Sequence, residues 1–265
     1  MMTALGLQPH MVGYTGVTGW NKPTKQLMAD LRGLPELATR YPTVETLLNA
    51  NADFFFAGWN YGMRVGGDVT PESLEPLGIK VYELSESCAH IEQASAAAAT
   101  LDQVYQDLAN LGKIFAVEDR AQLLIKSLRD RERHVAQQVV GKKKLKVFVY
   151  DSGEDRAFTA GALAIPQALI TAAGGVNVMA KLRASWTQVG WESVVEAEPD
   201  VIVVVDYGER SALQKEQFLL ANAALQSVPA IRNRRFVVLP YREVTPGVAN
   251  LEAVETLAQS FGSWR

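Results

Sequence analysis

Glu45-Thr-Leu-Leu-Asn-Ala-Asn-Ala-Asp53 and Glu192-Ser-Val-Val-Glu-Ala-Glu-Pro-Asp200 decide the fold of this chain, because each runs from a glutamate to an aspartate eight residues later and then enters an apolar strand. Fainter echoes flank both stretches in the same order: Ala4-Leu5-Gly6 is matched by Ala173-Gly174-Gly175, and Leu77-Gly78-Ile79-Lys80-Val81 by Ile231-Arg232-Asn233-Arg234-Arg235-Phe236. Coincidence explains one echo, whereas an ordered series indicates an internal repeat. The sequence therefore predicts two copies of one α/β unit.

Short apolar segments with helix-length stretches between them set the fold class. The predicted strands are Met11 to Tyr14, Asp53 to Ala57, Lys80 to Leu84, Lys146 to Tyr150, Val201 to Val205 and Arg235 to Leu239. Alternation of strands and helices is typical of α/β proteins with mainly parallel sheets. The strands after Asp53 and Asp200 are apolar on both faces, as expected where helices cover both sides of a sheet.

One long helix is predicted between the two repeats. No Gly or Pro occurs from Glu118 to Val140, and apolar residues recur there at helical spacing. Such a helix has roughly 20 residues, is about 30 Å long, and ends at Gly141. The sequence thus predicts an N-terminal lobe over residues 1–117, a linker helix over 118–141 and a C-terminal lobe over 142–265.

Composition and motifs exclude several functions. The 265 residues include 26 Lys and Arg against 29 Asp and Glu, and a net charge of −3 gives no electrostatic footprint for nucleic acid. The sequence has no Walker motif, Gly-x-Ser-x-Gly elbow or coherent Ser/His/Asp set, so we expect no enzymatic activity. Cys88, the only cysteine, forms with His90 one weak metal-ligand spacing. We therefore expect no resident cofactor and no directly bound metal, and a metal carried by its own chelator fits better.

Aromatic and hydrogen-bonding side chains follow the predicted strands. Ligands of open α/β sheets bind at the carboxyl ends of the strands, so two facing lobes would enclose a cleft lined by these loops. Aromatic rings suit a large, partly apolar ligand, and arginines pair with anionic oxygens. The predicted ligand-binding residues are Tyr14, Trp20, Trp59, Asn60, Tyr61, Arg64, Arg156, Phe158, Trp186, Tyr241 and Arg242. Asp151 and Tyr207 lie in the same set of loops, and Tyr14, Tyr61, Tyr207 and Tyr241 are the candidate axial ligands if the solute is haem.

The ordered set of motifs resembles the ferric-siderophore, haem and cobalamin binding proteins of ABC importers. The motifs include the two Glu-to-Asp stretches, Phe158-Thr159-Ala160-Gly161 and Ser185-Trp186, and the resemblance covers nearly the whole chain. It implies two Rossmann-like lobes joined by one helix, a shallow cleft that closes slightly, and a monomer in the periplasm or anchored by lipid outside the membrane. The partner it implies is a membrane permease.

The resemblance also implies roles for two glutamates. By local match, Glu45 and Glu192 would dock onto arginines of the permease, one from each lobe. Charge complementarity can steer such docking, although an ordinary first-turn glutamate favoured by the helix dipole is the alternative.

The chain departs from the family at its start. Family members begin with a signal peptide and an additional strand before the Ala-Leu-Gly turn, whereas this chain starts within the helix that precedes the turn. We therefore expect a truncated form or a misassigned start codon, and an unpaired strand edge in the first lobe.

The predicted function is capture of a metal chelate, a ferric siderophore first, for delivery to the permease. Haem and cobalamin are the alternatives within the family. A two-lobed metal-handling enzyme and a sensory module are the alternatives of another class.

Overall fold

The computed structural model describes residues 1–19, 21–58, 67–91 and 97–265, with residues 89–91 described by their backbone alone. Five predicted ligand-binding residues lie outside the described residues: Trp20, Trp59, Asn60, Tyr61 and Arg64. The described residues form a mixed α/β structure with mainly parallel sheets, which confirms the predicted fold class.

The first half contains two separate pairs of parallel strands. The strands are β1 (Tyr14–Thr15), β2 (Glu36–Ala38), β3 (Phe54–Ala57) and β4 (Lys80–Glu83), and the helices are α1 (Lys25–Asp30), α2 (Val44–Asn49), α3 (Pro71–Leu74) and α4 (Ser85–Ile91). β1 pairs with β2, and β3 pairs with β4. The strand predicted at residues 11–14 begins later, at Tyr14, because Gln8–His10 forms a 3-10 turn with a proline near its start.

Two helices connect the halves, α5 (Leu101–Ile114) and α6 (Glu118–Val139). The long helix predicted from the absence of Gly and Pro is therefore confirmed, with 22 residues. Gly112 of α5 permits a close approach, since a Cβ atom there would lie 2.6 Å from the Cβ of Ala121 in α6. Polar contacts flank this crossing, among them a hydrogen bond of 2.8 Å from the hydroxyl of Tyr105 to Glu132.

The second half is built on a four-stranded parallel sheet. The strands of the second half are β5 (Leu145–Tyr150), β6 (Ala157–Ala160), β7 (Gly175–Asn177), β8 (Trp186–Val189), β9 (Val201–Asp206) and β10 (Phe236–Pro240). The sheet order is β10-β9-β5-β7, and β6 pairs antiparallel with β8. The helices are α7 (Ile165–Ala172), α8 (Trp191–Ala197), α9 (Ala212–Ala221), α10 (Pro229–Arg232), α11 (Tyr241–Val244) and α12 (Asn250–Trp264).

One hydrophobic core joins α5 and α6 to this sheet. It contains Leu108 of α5, Leu128 of α6 and Val203 of β9, while Ile202 and Val204 face a second cluster on the other side of the sheet. Both faces of β9 are thus buried, as its valine-rich sequence predicts. Since α5 shares its core with the second half, the lobe boundary at residue 117 stays a prediction.

The internal repeat is visible in the backbone. α2 precedes β3 as α8 precedes β9, and a residue with positive φ follows six positions after each marker glutamate, Asn51 at 51° and Glu198 at 46°. Two residues before β4 and β10, Gly78 and Arg234 again have positive φ. Equivalent turns therefore connect equivalent elements in both halves, although the residue types differ.

A cavity of about 570 Å³ separates β1 from β3. Within the described residues β1 pairs with β2 and β3 pairs with β4. The cavity wall includes Tyr14, Phe54 and Phe56.

The approach of α5 to α6 gives a test of the shared core. Gly112→Ala places a methyl group against Ala121, and overpacking costs about 1–3 kcal/mol, against a helix-propensity gain of about 1 kcal/mol. We expect a net loss of about 1 kcal/mol in the free energy of urea unfolding. The swap Gly112→Ala with Ala121→Gly relieves the clash and should be more stable than the sum of its single changes. If the loss of unfolding free energy in the double variant equals the sum of the losses in the two single variants, a tight crossing at this point is contradicted.

Candidate ligand-binding cleft

Polar and aromatic side chains gather at the carboxyl ends of β5, β9 and β10. Asp151 follows β5, Tyr207 follows β9 and Tyr241 follows β10. The hydroxyl of Tyr207 donates to Oδ2 of Asp151 over 2.5 Å, and the ring centroids of Tyr207 and Tyr241 lie 5.1 Å apart. Adjacent parallel strands end at the same edge of a sheet, so the order β10-β9-β5 brings these three residues together.

Lys215 of α9 supports this cluster from within the protein. The side chain is buried, its Nζ donates to the carbonyl oxygen of Val205 over 2.6 Å, and it lies 4.4 Å from the ring centroid of Tyr207. A cation over an aromatic face is attracted by the ring quadrupole. Burial lowers the pKa of Lys215, while the nearby charge of Asp151 acts in the opposite direction.

The protonation of the cluster follows from its burial. Burial raises the pKa of Asp151, and the hydrogen bond from Tyr207 lowers it. Burial also raises the pKa of Tyr207, reinforced by the charge of Asp151. Tyr207 is therefore a neutral phenol near pH 7, and its hydrogen is donated to Asp151.

The first half reaches the same edge through Lys22. Its Nζ lies 2.6 Å from Oδ1 of Asp206, the last residue of β9, in a partly exposed ion pair. The loop that leads to Lys22 is held by Glu36, whose Oε1 accepts the backbone N–H groups of Val17 and Thr18 at 2.9 and 2.8 Å. Lys22 thus brings the first half into contact with the carboxyl edge of the second sheet, beside the predicted cleft.

A second aromatic surface lies on the β6–β8 ribbon. Phe158 pairs in register with Gln188, and Trp186 lies two residues away along β8, so both rings project from the same face. Their centroids are 6.0 Å apart, with 24° between the ring planes. Thr159 points to the opposite face, where its hydroxyl donates to the carbonyl oxygen of Val149.

The remaining predicted ligand residues are in different surroundings. Tyr14 is half-buried in β1 and lines the cavity beside β3. Arg156 is exposed, with one guanidinium nitrogen 3.5 Å from the carbonyl oxygen of Gln188. Arg242 pairs with Glu243 and Glu252 at 3.0 and 2.5 Å, so much of its charge is already balanced. Their contact with a ligand stays a prediction.

Sequence reasoning missed three residues that connect or support these walls: Lys22, Glu86 and Lys215. Lys22 lies in an unstructured loop, and Lys215 has the spacing of an ordinary surface lysine in a helix. The fold alone places each beside its partner: Lys22 beside a residue 184 positions away, Glu86 beside one 79 positions away and Lys215 beside one 10 positions away.

Glu45 and Glu192 occupy equivalent places in the two halves. Each is exposed and lies in the first turn of its helix, α2 after the N-cap Thr43 and α8 after the N-cap Gly190. This placement suits docking and equally suits a favourable interaction with the helix dipole.

The fold, two α/β halves connected through α5 and α6, is the fold of a known class of binding proteins. A family model for periplasmic binding proteins matches residues 1–243, and the chain belongs to this family. Family membership places it among binding proteins rather than enzymes. None of the described helices combines the length and apolar composition needed to cross a membrane.

Individual relatives agree with this assignment. The vitamin B12-binding protein of Salmonella typhimurium is 31% identical over 131 residues, which are 49% of this chain and 44% of that protein, so the chain spans less than half the length of this relative. A periplasmic binding protein from Veillonella parvula has the same fold, with a TM-score of 0.87 at 23% identity over 99% of this chain and 87% of its own. An ABC-type Fe³⁺-hydroxamate transport protein from Saccharomonospora viridis gives 0.81 at 24% identity, over 98% and 89%.

The Tyr207–Asp151 hydrogen bond gives a test of the cleft geometry. Tyr207→Phe leaves the buried Asp151 with one donor fewer, which costs about 1–3 kcal/mol in the free energy of unfolding. Combining it with Asp151→Asn should cost less than the sum of the single changes, because a neutral amide is easier to bury. Tyr105→Phe, which removes a donor to the more exposed Glu132, is the matched control with a smaller expected loss. If urea titrations show that the free-energy losses of Tyr207→Phe and Asp151→Asn simply add in the double variant, the Tyr207–Asp151 contact is contradicted.

Proposed function

We propose that this chain is the substrate-binding component of an ABC importer and that its ligand is a metal chelate. A ferric siderophore is the first candidate. The observation that carries the proposal is the cluster of Tyr207, Tyr241 and Asp151 at the carboxyl ends of the second sheet, beside the Lys22–Asp206 ion pair that joins it to the first half. The family match supports delivery of a solute outside the cytoplasm.

The chemistry of the walls suits a chelate. Aromatic rings pack on the organic part of such a ligand, and the exposed Arg156 can approach its negative oxygens. Among the described residues, no group of three His, Cys, Asp or Glu side chains is placed to hold a bare metal ion. A ligand that brings its own metal coordination therefore fits these side chains best. The similarity to a hydroxamate transport protein favours hydroxamate siderophores within this class.

Cobalamin is the second candidate, because the vitamin B12-binding protein matches half of the chain at 31% identity. Cobalamin too carries its metal within an organic ligand and presents a large, partly apolar surface. Haem is a weaker candidate at Tyr207. To become an axial ligand as tyrosinate, Tyr207 would have to lose the phenolic proton that it now donates in a hydrogen bond to Asp151.

A ligand panel tests the proposal directly. We expect tryptophan fluorescence of the purified protein to be quenched saturably by at least one of ferrichrome, ferric enterobactin, cyanocobalamin, haemin and ferric citrate. The metal-free siderophores are the control, and they should bind more weakly because the metal organises the chelate. If none of the five changes the emission, the binding-protein proposal fails.

Docking through the exposed glutamates is a separate proposal. Glu45→Ala combined with Glu192→Ala should abolish uptake by cells that express the cognate permease, while the Kd for the ligand stays unchanged, because both side chains are exposed first-turn glutamates outside the predicted ligand-binding set. Glu118→Ala is the matched control, since Glu118 is also an exposed first-turn glutamate. Normal transport by the double variant would rule out this role.

A further inference from the structure

Glu86 is a carboxylate of the first half whose hydrogen bonds reach into the second half. It lies in the first turn of α4 and is 3% exposed. Its Oε2 accepts the backbone N–H of Ile165 at 2.9 Å, and its Oε1 accepts the hydroxyl of Ser185 at 2.9 Å. Burial raises the pKa of the Glu86 carboxyl to about 8, and hydrogen bonds from Ser185, Ile165 and the Trp186 side chain act against this rise.

These donors define two elements of the second half. Ile165 is the first residue of α7, whose N-cap, Ala164, has no polar side chain. A helix N-terminus favours a negative or hydrogen-bond-accepting group, and Glu86 supplies the capping acceptor from the opposite half of the chain. Ser185 directly precedes β8, which begins at Trp186, and the backbone N–H of Gly161 also donates to the carbonyl oxygen of Ser185 at 2.7 Å. Glu86 therefore contacts the start of α7 and the start of β8 together.

The first half holds the Glu86 backbone in place. Asp107 of α5, which is 1% exposed, accepts hydrogen bonds from the hydroxyl of Ser85 at 2.6 Å and from the hydroxyl of Tyr82 at 2.9 Å. The backbone N–H of Ser85 points to the same carboxylate. Because Ser85 directly precedes Glu86, the start of α4 has little freedom to turn.

We propose that Glu86 is a positioning residue for ligand binding, which holds Ser185 and thereby keeps the adjacent Trp186 where its stack with Phe158 requires it. The proposal rests on the proposed function, in which these two rings pack on the ligand. Ser185 donates to the buried Glu86 carboxylate over 2.9 Å, so the backbone next to Trp186 has little freedom, and the Trp186 ring stacks on Phe158 with 24° between the ring planes. Pre-orienting a contact side chain raises affinity because less freedom is lost on binding.

The arrangement also makes the aromatic surface of the second half depend on the first half. If the halves move apart at this point, the carboxylate loses its donors and Trp186 loses its anchor. A ligand that packs on Trp186 thereby favours the arrangement in which Glu86 is bonded, since it binds that state better.

A double-mutant cycle tests the proposal. Glu86→Ala and Glu86→Gln are made alone and with Trp186→Phe, and Glu83→Ala is the control, since Glu83 lies three residues away and its described bond is to Cys88 within the first half. Kd is measured by calorimetry with the panel ligand that the wild-type protein binds. The near-UV circular dichroism of Trp186 is the difference between each protein and its Trp186→Phe partner, in which the other tryptophans cancel.

We expect Glu86→Ala to raise Kd about tenfold in the Trp186 background and less than about twofold in the Trp186→Phe background, which corresponds to strong coupling between the two sites. Glu86→Gln should recover most of the affinity, because its amide oxygen still accepts a hydrogen bond. The Trp186 signal should collapse in Glu86→Ala and persist in Glu83→Ala. An equal rise in Kd in both backgrounds would overturn the proposal.

The spectroscopic arm separates this proposal from the proposed function. If the wild-type protein binds none of the five ligands, the proposed function fails. The near-UV circular dichroism signal of Trp186 then tests by itself whether Glu86 positions Trp186. A signal that Glu86→Ala leaves unchanged overturns that role, and a signal that it abolishes supports it.

Discussion

The packing of α5 and α6 on the parallel sheet of the second half is the interaction on which the rest of the structure depends. Gly112 lets the two helices approach closely, and Leu108 and Leu128 then enter the same core as Val203. Burial of apolar surface at about 25 cal/mol per Å² makes such a core far stronger than the ion pairs around it. The bidentate pair of Arg131 with Glu255 is partly exposed and contributes at most about 1 kcal/mol. The shared core therefore sets where the first half stands relative to the cleft.

Two kinds of contact then close the ends of the cleft, and burial separates their strengths. Lys22 and Asp206 form a partly exposed pair, which water and salt screen and which can open at little cost. Glu86 is buried and accepts donors from Ile165 and Ser185, so separating it leaves polar groups unpaired at about 1–3 kcal/mol each. The two halves are thus held more firmly at Glu86 than at the Lys22–Asp206 pair.

The wall of the cleft works through neutral hydrogen-bonding groups and aromatic rings. Tyr207 keeps its proton because burial and Asp151 both disfavour the phenolate, and Lys215 is hidden behind the ring. The described side chains of this wall present aromatic rings beside the Tyr207–Asp151 hydrogen bond. Arg242, which the sequence predicts to contact ligand oxygens, is paired with Glu243 and Glu252, and its contact with a ligand stays a prediction.

The sequence by itself determined the α/β class, the repeat and the linker helix, because these depend on local periodicity and on short-range spacing. Glu45 and Glu192 could be matched as equivalents for the same reason, and the backbone turns at Asn51 and Glu198 bear out that equivalence. Only the tertiary structure decided that α5 shares a core with the second half, that Asp151 receives the hydrogen of Tyr207, and that Glu86 caps a helix 79 residues away. Contacts of this kind join residues that are distant in the chain. They cannot be predicted from the sequence alone, because the burial of each group and the position of its partner are set only when the sheet order brings the strand ends together.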